Sequence, residues 1–70
     1  FVRAFKAHTG LTPYQYLLRE RIARAKELLV ATRRPVSEIA LDTGFATPSH
    51  FAAAFQRRVG VTPTAYRADR

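Results

Sequence analysis

The amino-acid sequence predicts an all-α fold, and three features of it carry that expectation. Nowhere do apolar and polar residues alternate in the two-residue period of a half-buried strand. Residues 13 to 31 instead carry apolar side chains at spacings of three and four, the period of one helix face. Finally, FVRAFKAHTGLTPYQY (1 to 16) recurs at an offset of 50 residues as FAAAFQRRVGVTPTAY (51 to 66), and both copies are written in helix-stop and helix-start chemistry.

The repeat comes first along the chain. Phe1 lies over Phe51, Ala4 over Ala54, Phe5 over Phe55, Gly10 over Gly60, Thr12 over Thr62, Pro13 over Pro63 and Tyr16 over Tyr66. Two phenylalanines four residues apart share a helix face and belong to a core. A glycine five residues on is a C-terminal stop, because it enters the left-handed region without steric cost. Threonine followed by proline is an N-cap and the first position of a new helix. Each copy therefore predicts a helix, a tight stop and a second helix, and two copies predict two equivalent halves. Tyr16 and Tyr66 share one position in the repeat and are expected to pack with a satisfied hydroxyl.

Between the copies, Tyr14, Leu18, Ile22, Ala25 and Leu29 form an apolar stripe over 13 to 31, widened by Leu17 and Leu28. On the opposite face, Glu20 and Arg24 have the spacing of a favourable ion pair. Pro35 forbids continuation, so the helix ends within ATRRP. At 1.5 Å per residue it spans about 28 Å, enough to hold two small units apart.

Residues 36 to 60 then read as two short helices. Val36, Ile39 and Ala40 face inward on the first, Gly44 breaks it, and Thr47-Pro48 caps and starts the second, which carries Phe51 and Phe55. Two short helices joined by a glycine-containing turn form a helix-turn-helix. In such a unit the second helix enters the DNA major groove and its N-terminal residues meet base edges. With both phenylalanines facing the core, Ser49, His50, Ala52, Ala53 and Gln56 are left for the outer face. Ser49 and His50 can hydrogen-bond bases, Ala52 or Ala53 can touch a thymine methyl, and Thr47 with the free N–H groups beside it can bind a phosphate. Arg57 and Arg58 suit phosphate contacts or the C-terminal dipole. Against this stand plainer roles: His8 and the Arg33-Arg34 pair read as solvated surface, and His50, Arg57 and Arg58 can be the same.

Composition narrows the partners. Seventy residues allow one domain with a small core. Without cysteine there is no disulfide or thiolate site, and two isolated histidines, His8 and His50, do not make a zinc site, so no cofactor or metal is expected. No Ser/His/Asp, Cys/His or paired-carboxylate set is visible, which disfavours an enzyme. A net charge of +7, from twelve Lys and Arg against five Asp and Glu, favours a polyanion. Nucleic acid comes first among these. An acidic protein partner for a basic helical interaction module is the rival, and an anionic membrane is disfavoured by scattered charge and short capped helices. A first residue that is Phe rather than Met suggests a piece of something longer, and the lack of cysteine fits a reducing cytoplasm.

EIALDTGFATPSHFAAAFQRRVGVTPTAYR (38 to 67) resembles the C-terminal signature of the AraC/XylS family of bacterial transcription regulators, with Glu38-Ile39-Ala40, Gly44-Phe45, Phe51, Phe55, Gly60, Thr62-Pro63, Tyr66 and Arg67 in register. The resemblance covers the whole chain. It implies two helix-turn-helix units, the first incomplete, joined by a long central helix: 1 to 9 the end of the first reading helix, 13 to 31 the joining helix, 36 to 59 the second unit, 63 to 68 a terminal helix. It also implies double-stranded DNA as partner; RNA polymerase is a further candidate as the acidic partner of a basic face, and an effector or dimerisation domain is expected before Phe1. Arg3 falls where such proteins commonly contact a base, Lys6 on the phosphate side, and Ser49, His50 and Ala53 at the matching places in the second unit. Ala53 departs from the pattern, since it cannot make the bidentate base contact of Arg or Gln. Weak readout by the second unit and stronger readout by Arg3 are therefore expected.

Overall fold

A computed structural model of the protein describes residues 10 to 69, so the expectations placed on residues 1 to 9, Arg3 and Lys6 among them, lie outside the described residues. The described residues form four helices, α1 (Pro13–Ala31), α2 (Val36–Asp42), α3 (Pro48–Val59) and α4 (Pro63–Ala68), and no strand.

Three Thr-Pro pairs set three of the four helix starts. Thr47 Oγ1 accepts the His50 N–H at 3.0 Å and Thr62 Oγ1 accepts the Ala65 N–H at 3.1 Å. Thr12 does more: its Oγ1 accepts from the Gln15 N–H at 3.1 Å while its own N–H donates to Gln15 Oε1 at 3.0 Å, a reciprocal capping box. Each such cap satisfies an N–H that the helix ladder leaves open, and is worth about 1 kcal/mol. Gly10 (φ 78°), ahead of α1, and Gly60 (φ 98°), at the end of α3, both have positive φ, and the Gly60 N–H closes α3 on the Gln56 carbonyl at 2.9 Å.

One apolar cluster holds the helices together. Ile22, Ala25 and Leu29 of α1 meet Ile39 and Ala40 of α2, Phe45 of the turn, and Phe51, Ala54 and Phe55 of α3. Tyr66 of α4 packs against its edge. The aromatic rings form a chain, with centroids 5.2 Å apart for Phe45 and Phe51, 5.6 Å for Phe51 and Phe55, and 5.5 Å for Phe55 and Tyr66. Edge-on and tilted geometries of this kind add to plain area burial.

Two expectations for α1 are corrected. Its apolar stripe is shorter than the sequence suggests: Tyr14 is 58% and Leu17 44% exposed. Among the described residues the cluster reaches α1 only from Leu18 onward, so the first turn lies beyond it. Nor do Glu20 and Arg24 pair with each other. Arg24 turns to Glu27 at 3.4 Å and Glu20 lies 3.9 Å from Arg19. On an exposed helix face these alternatives differ by a few tenths of a kcal/mol, and spacing alone does not choose among them.

The end of α1 is where α4 locks on. Arg67 donates from Nε to the Leu29 carbonyl at 3.1 Å and from Nη2 to those of Thr32 at 3.3 Å and Arg34 at 2.7 Å. One guanidinium thus satisfies a carbonyl that the end of α1 leaves open and two more just beyond it. Arg34 in turn pairs with Glu38 at 2.9 Å and with Asp42, so it ties the linker to α2 rather than standing solvated as expected, while Arg33 is exposed.

The candidate nucleic-acid interface

Placement of α3 begins in the turn after α2. The buried Thr43 hydroxyl reaches the Ile39 carbonyl at 2.8 Å and the Ala40 carbonyl at 3.2 Å, and the Phe45 N–H reaches the Ala40 carbonyl at 3.1 Å. Gly44 between them has φ 96°, and a Cβ there would stand 2.8 Å from Arg21 Nε. The left-handed backbone is what calls for glycine here; the atoms nearest a Cβ are the far end of a flexible side chain, which can give way. The turn then drops Phe45 into the core and starts α3 at a fixed angle to α1.

With Phe51, Ala54 and Phe55 buried, α3 presents Ser49, His50, Ala53, Gln56 and Arg57 to solvent. Ala52, expected on this outer face, is half-buried on the flank of the Phe51 face. Thr47 stands exposed at the N-terminus, its oxygen engaged as the cap. The Ser49 N–H beside it lies in the first turn, where the ladder offers no acceptor. His50 is oriented rather than free, its ring edge-on to Phe45 at 5.5 Å.

His50, Ala53 and Arg57 follow one another at spacings of three and four and therefore share a face. That face lines a cleft of about 470 Å³, which Tyr14 and Leu18 of α1 and Arg58 of α3 line as well. Arg58 Nη2 reaches the Gln15 carbonyl at 3.5 Å and so bridges the two helices. Of the expected site residues, then, the structure brings His50, Ala53 and Arg57 together, sets Thr47 and Ser49 at the helix start, and leaves Arg3 and Lys6 undescribed.

The electrostatics of the face follow from where the acids went. Of five carboxylates in the chain, Glu20, Glu27, Glu38 and Asp42 lie beside Arg19, Arg24 and Arg34, and Asp69 ends α4. None lies on α3 or lines the cleft. Among the described residues no group of three or more His, Asp or Glu side chains can hold a metal ion, and no helix is long and apolar enough to cross a membrane.

Sequence reasoning missed three contributors. Arg67 is legible only as part of a motif, the apolar spacing puts Tyr14 in the core stripe, and nothing in the sequence marks Arg21, which the fold places over Gly44.

A short helix, a glycine turn and a second helix with one face in the core and the other bare define a helix-turn-helix protein. The family model described as "Helix-turn-helix domain" matches residues 1–69, and the chain belongs to that family, in its AraC-type branch. It is 42% identical over 67 residues to "Probable transcriptional regulator LumQ" of Photobacterium leiognathi, covering 96% of this chain and 27% of that protein. The chain thus spans about a quarter of that curated relative. Among solved structures it is similar to a transcriptional regulator of Chromobacterium violaceum described by its AraC-type DNA-binding domain (TM-score 0.91, 34% identity, 96% of this chain and 60% of that one). It is also similar to the DNA-binding domain of AdpA, a global transcriptional factor, solved in complex with a target DNA (TM-score 0.93, 37% identity, 97% of this chain and 61% of that one).

Proposed function

We propose that this chain is a DNA-binding domain that serves bacterial transcription regulation without catalysis, its α3 lying in the major groove of double-stranded DNA. The observation that carries this is the outer face of α3: a capped N-terminus, exposed Ser49, His50 and Ala53, and two arginines with no carboxylate on the helix. Ser49 and His50 meet base edges, Thr47 and Arg57 position the helix on phosphates, and Ala53 confines this unit to weak readout. Arg3 and Lys6 serve a first reading helix, with Arg3 carrying more of the sequence preference. The span of α1, about 28 Å, suits two reading helices in successive major-groove segments roughly 34 Å apart on one side of the duplex. RNA polymerase as a second partner, an effector or dimerisation domain elsewhere in the protein, and a cytoplasmic setting complete the proposal.

Titration of binding to random duplex DNA against salt tests it. The logarithm of affinity should fall linearly with log salt, by about 0.9 per phosphate contacted. Flat, weak binding would favour instead a basic helical module that contacts an acidic protein.

A further inference from the structure

Tyr14 is an exposed phenol on the first turn of a helix that the proposal above treats only as a spacer. With Leu18 it forms one wall of the cleft whose other wall is His50, Ala53 and Arg57 of α3. Arg57 and Arg58 both line it, and neither has a carboxylate partner among the described residues. Leu18, Ala53 and the tyrosine ring add apolar surface to the same lining. A groove that combines apolar surface with guanidinium donors suits a chain in which anionic and apolar units alternate, and the sugar-phosphate backbone is such a chain. His50, Ala53 and Arg57 belong at once to the cleft and to the outer face of α3. A DNA strand bordering the groove that α3 occupies therefore passes along this side of the helix.

We propose that the cleft between α1 and α3 seats the sugar-phosphate backbone of one DNA strand, with the Tyr14 hydroxyl and the Arg57 guanidinium donating to phosphate oxygens from opposite walls. The central helix then grips DNA instead of only spacing its readers. Tyrosine hydroxyls and arginines are both ordinary phosphate donors, and such contacts fix register without reading sequence. This inference rests on the DNA-binding proposal above.

Phosphate-ethylation interference on a bound duplex, run with the unmodified protein and with Tyr14→Phe, tests it. Tyr14→Phe removes a single oxygen from an exposed ring and leaves thermal unfolding unchanged. It should weaken binding about three- to tenfold on specific and random duplex alike, keep the salt slope because the lost donor is neutral, and make one previously blocking ethylated phosphate tolerated. Tyr14→Glu, equally exposed, puts a carboxylate against the backbone and should cost tenfold or more in affinity. An unchanged interference pattern in Tyr14→Phe, or unchanged affinity in Tyr14→Glu, overturns the proposal. Absence of salt-steep duplex binding by the unmodified protein instead overturns the DNA-binding proposal itself, and this one with it.

Discussion

GLTPYQY (10 to 16) and GVTPTAY (60 to 66) share a backbone and divide in destination. In both, glycine takes positive φ, threonine caps and proline opens the next helix. Yet the first leads into 19 residues of helix and the second into 6. What they share settles local conformation, and what they do not share decides where each helix goes. Tyr14 and Leu17 are exposed on α1, whereas their counterparts at the second copy are Thr64 and Arg67, and Arg67 fastens α4 to the end of α1. The repeat thus keeps a positive-φ glycine, a threonine cap and a proline start, while the side chains around them form a surface in one copy and a clamp in the other.

The strongest test of that division strikes a shared residue. Phe55 is fully buried and touches both Phe51 and Tyr66, so it joins α3 to the element that the second phrase opens. Phe55→Ala removes this link and leaves a cavity, at an expected cost of about 3 to 5 kcal/mol. In a domain of this size that consumes most of the stability, and urea unfolding should show a shifted or lost transition. A loss below about 1 kcal/mol would mean that α4 is held by Arg67 rather than by the aromatic chain.

A middle-sized effect is expected at the glycines. Gly10 and Gly60 face open space, so Gly60→Ala should cost only the left-handed penalty of about 1 to 2 kcal/mol. Gly44→Ala adds a contact of its Cβ with Arg21 Nε at 2.8 Å, which the flexible arginine can relieve by shifting its end. It should cost the same left-handed penalty plus at most a small increment, which Arg21→Ala should recover. Denaturant midpoints of the two single variants and of the Gly44→Ala, Arg21→Ala pair measure this directly. A loss at Gly44 well beyond that at Gly60 would mean that Arg21 cannot give way.

These glycines also mark how far the sequence could be read. Caps, stops and the phenylalanine face are local: they involve residues three to five apart, whose geometry the backbone fixes, so their spacing alone makes them legible. Arg67 reaching Leu29 and Arg34, or Arg21 standing over Gly44, joins residues far apart in the chain, and no spacing announces such contacts. The same limit holds for the candidate interface. Ser49, His50, Ala53 and Gln56 follow from elimination, since the buried phenylalanines leave them the outer face, although the same step also includes the half-buried Ala52; Arg57 follows from its charge at the far end of the helix. Tyr14 does not, because apolar periodicity cannot tell a stripe that continues into the core from one that runs past its end.

The smallest effect sharpens the comparison of the two phrases themselves. Gln15 completes a capping box on Thr12, while Ala65 at the equivalent place gives Thr62 only the one-way cap. Gln15→Ala should therefore reduce the first cap to the form of the second, and Ala65→Gln should raise the second toward the first. Both changes lie on exposed surface and each should move stability by roughly 0.3 to 1 kcal/mol, in opposite directions. α4 is too short to hold itself by propensity. A stronger cap on it should thus also tighten the Arg67 clamp, visible as slower amide exchange at Thr32, whose N–H donates to Leu28 at the end of α1. Stabilisation by Ala65→Gln without slower exchange there would show that cap and clamp act independently, and that the second phrase fixes its own helix without helping to close the first.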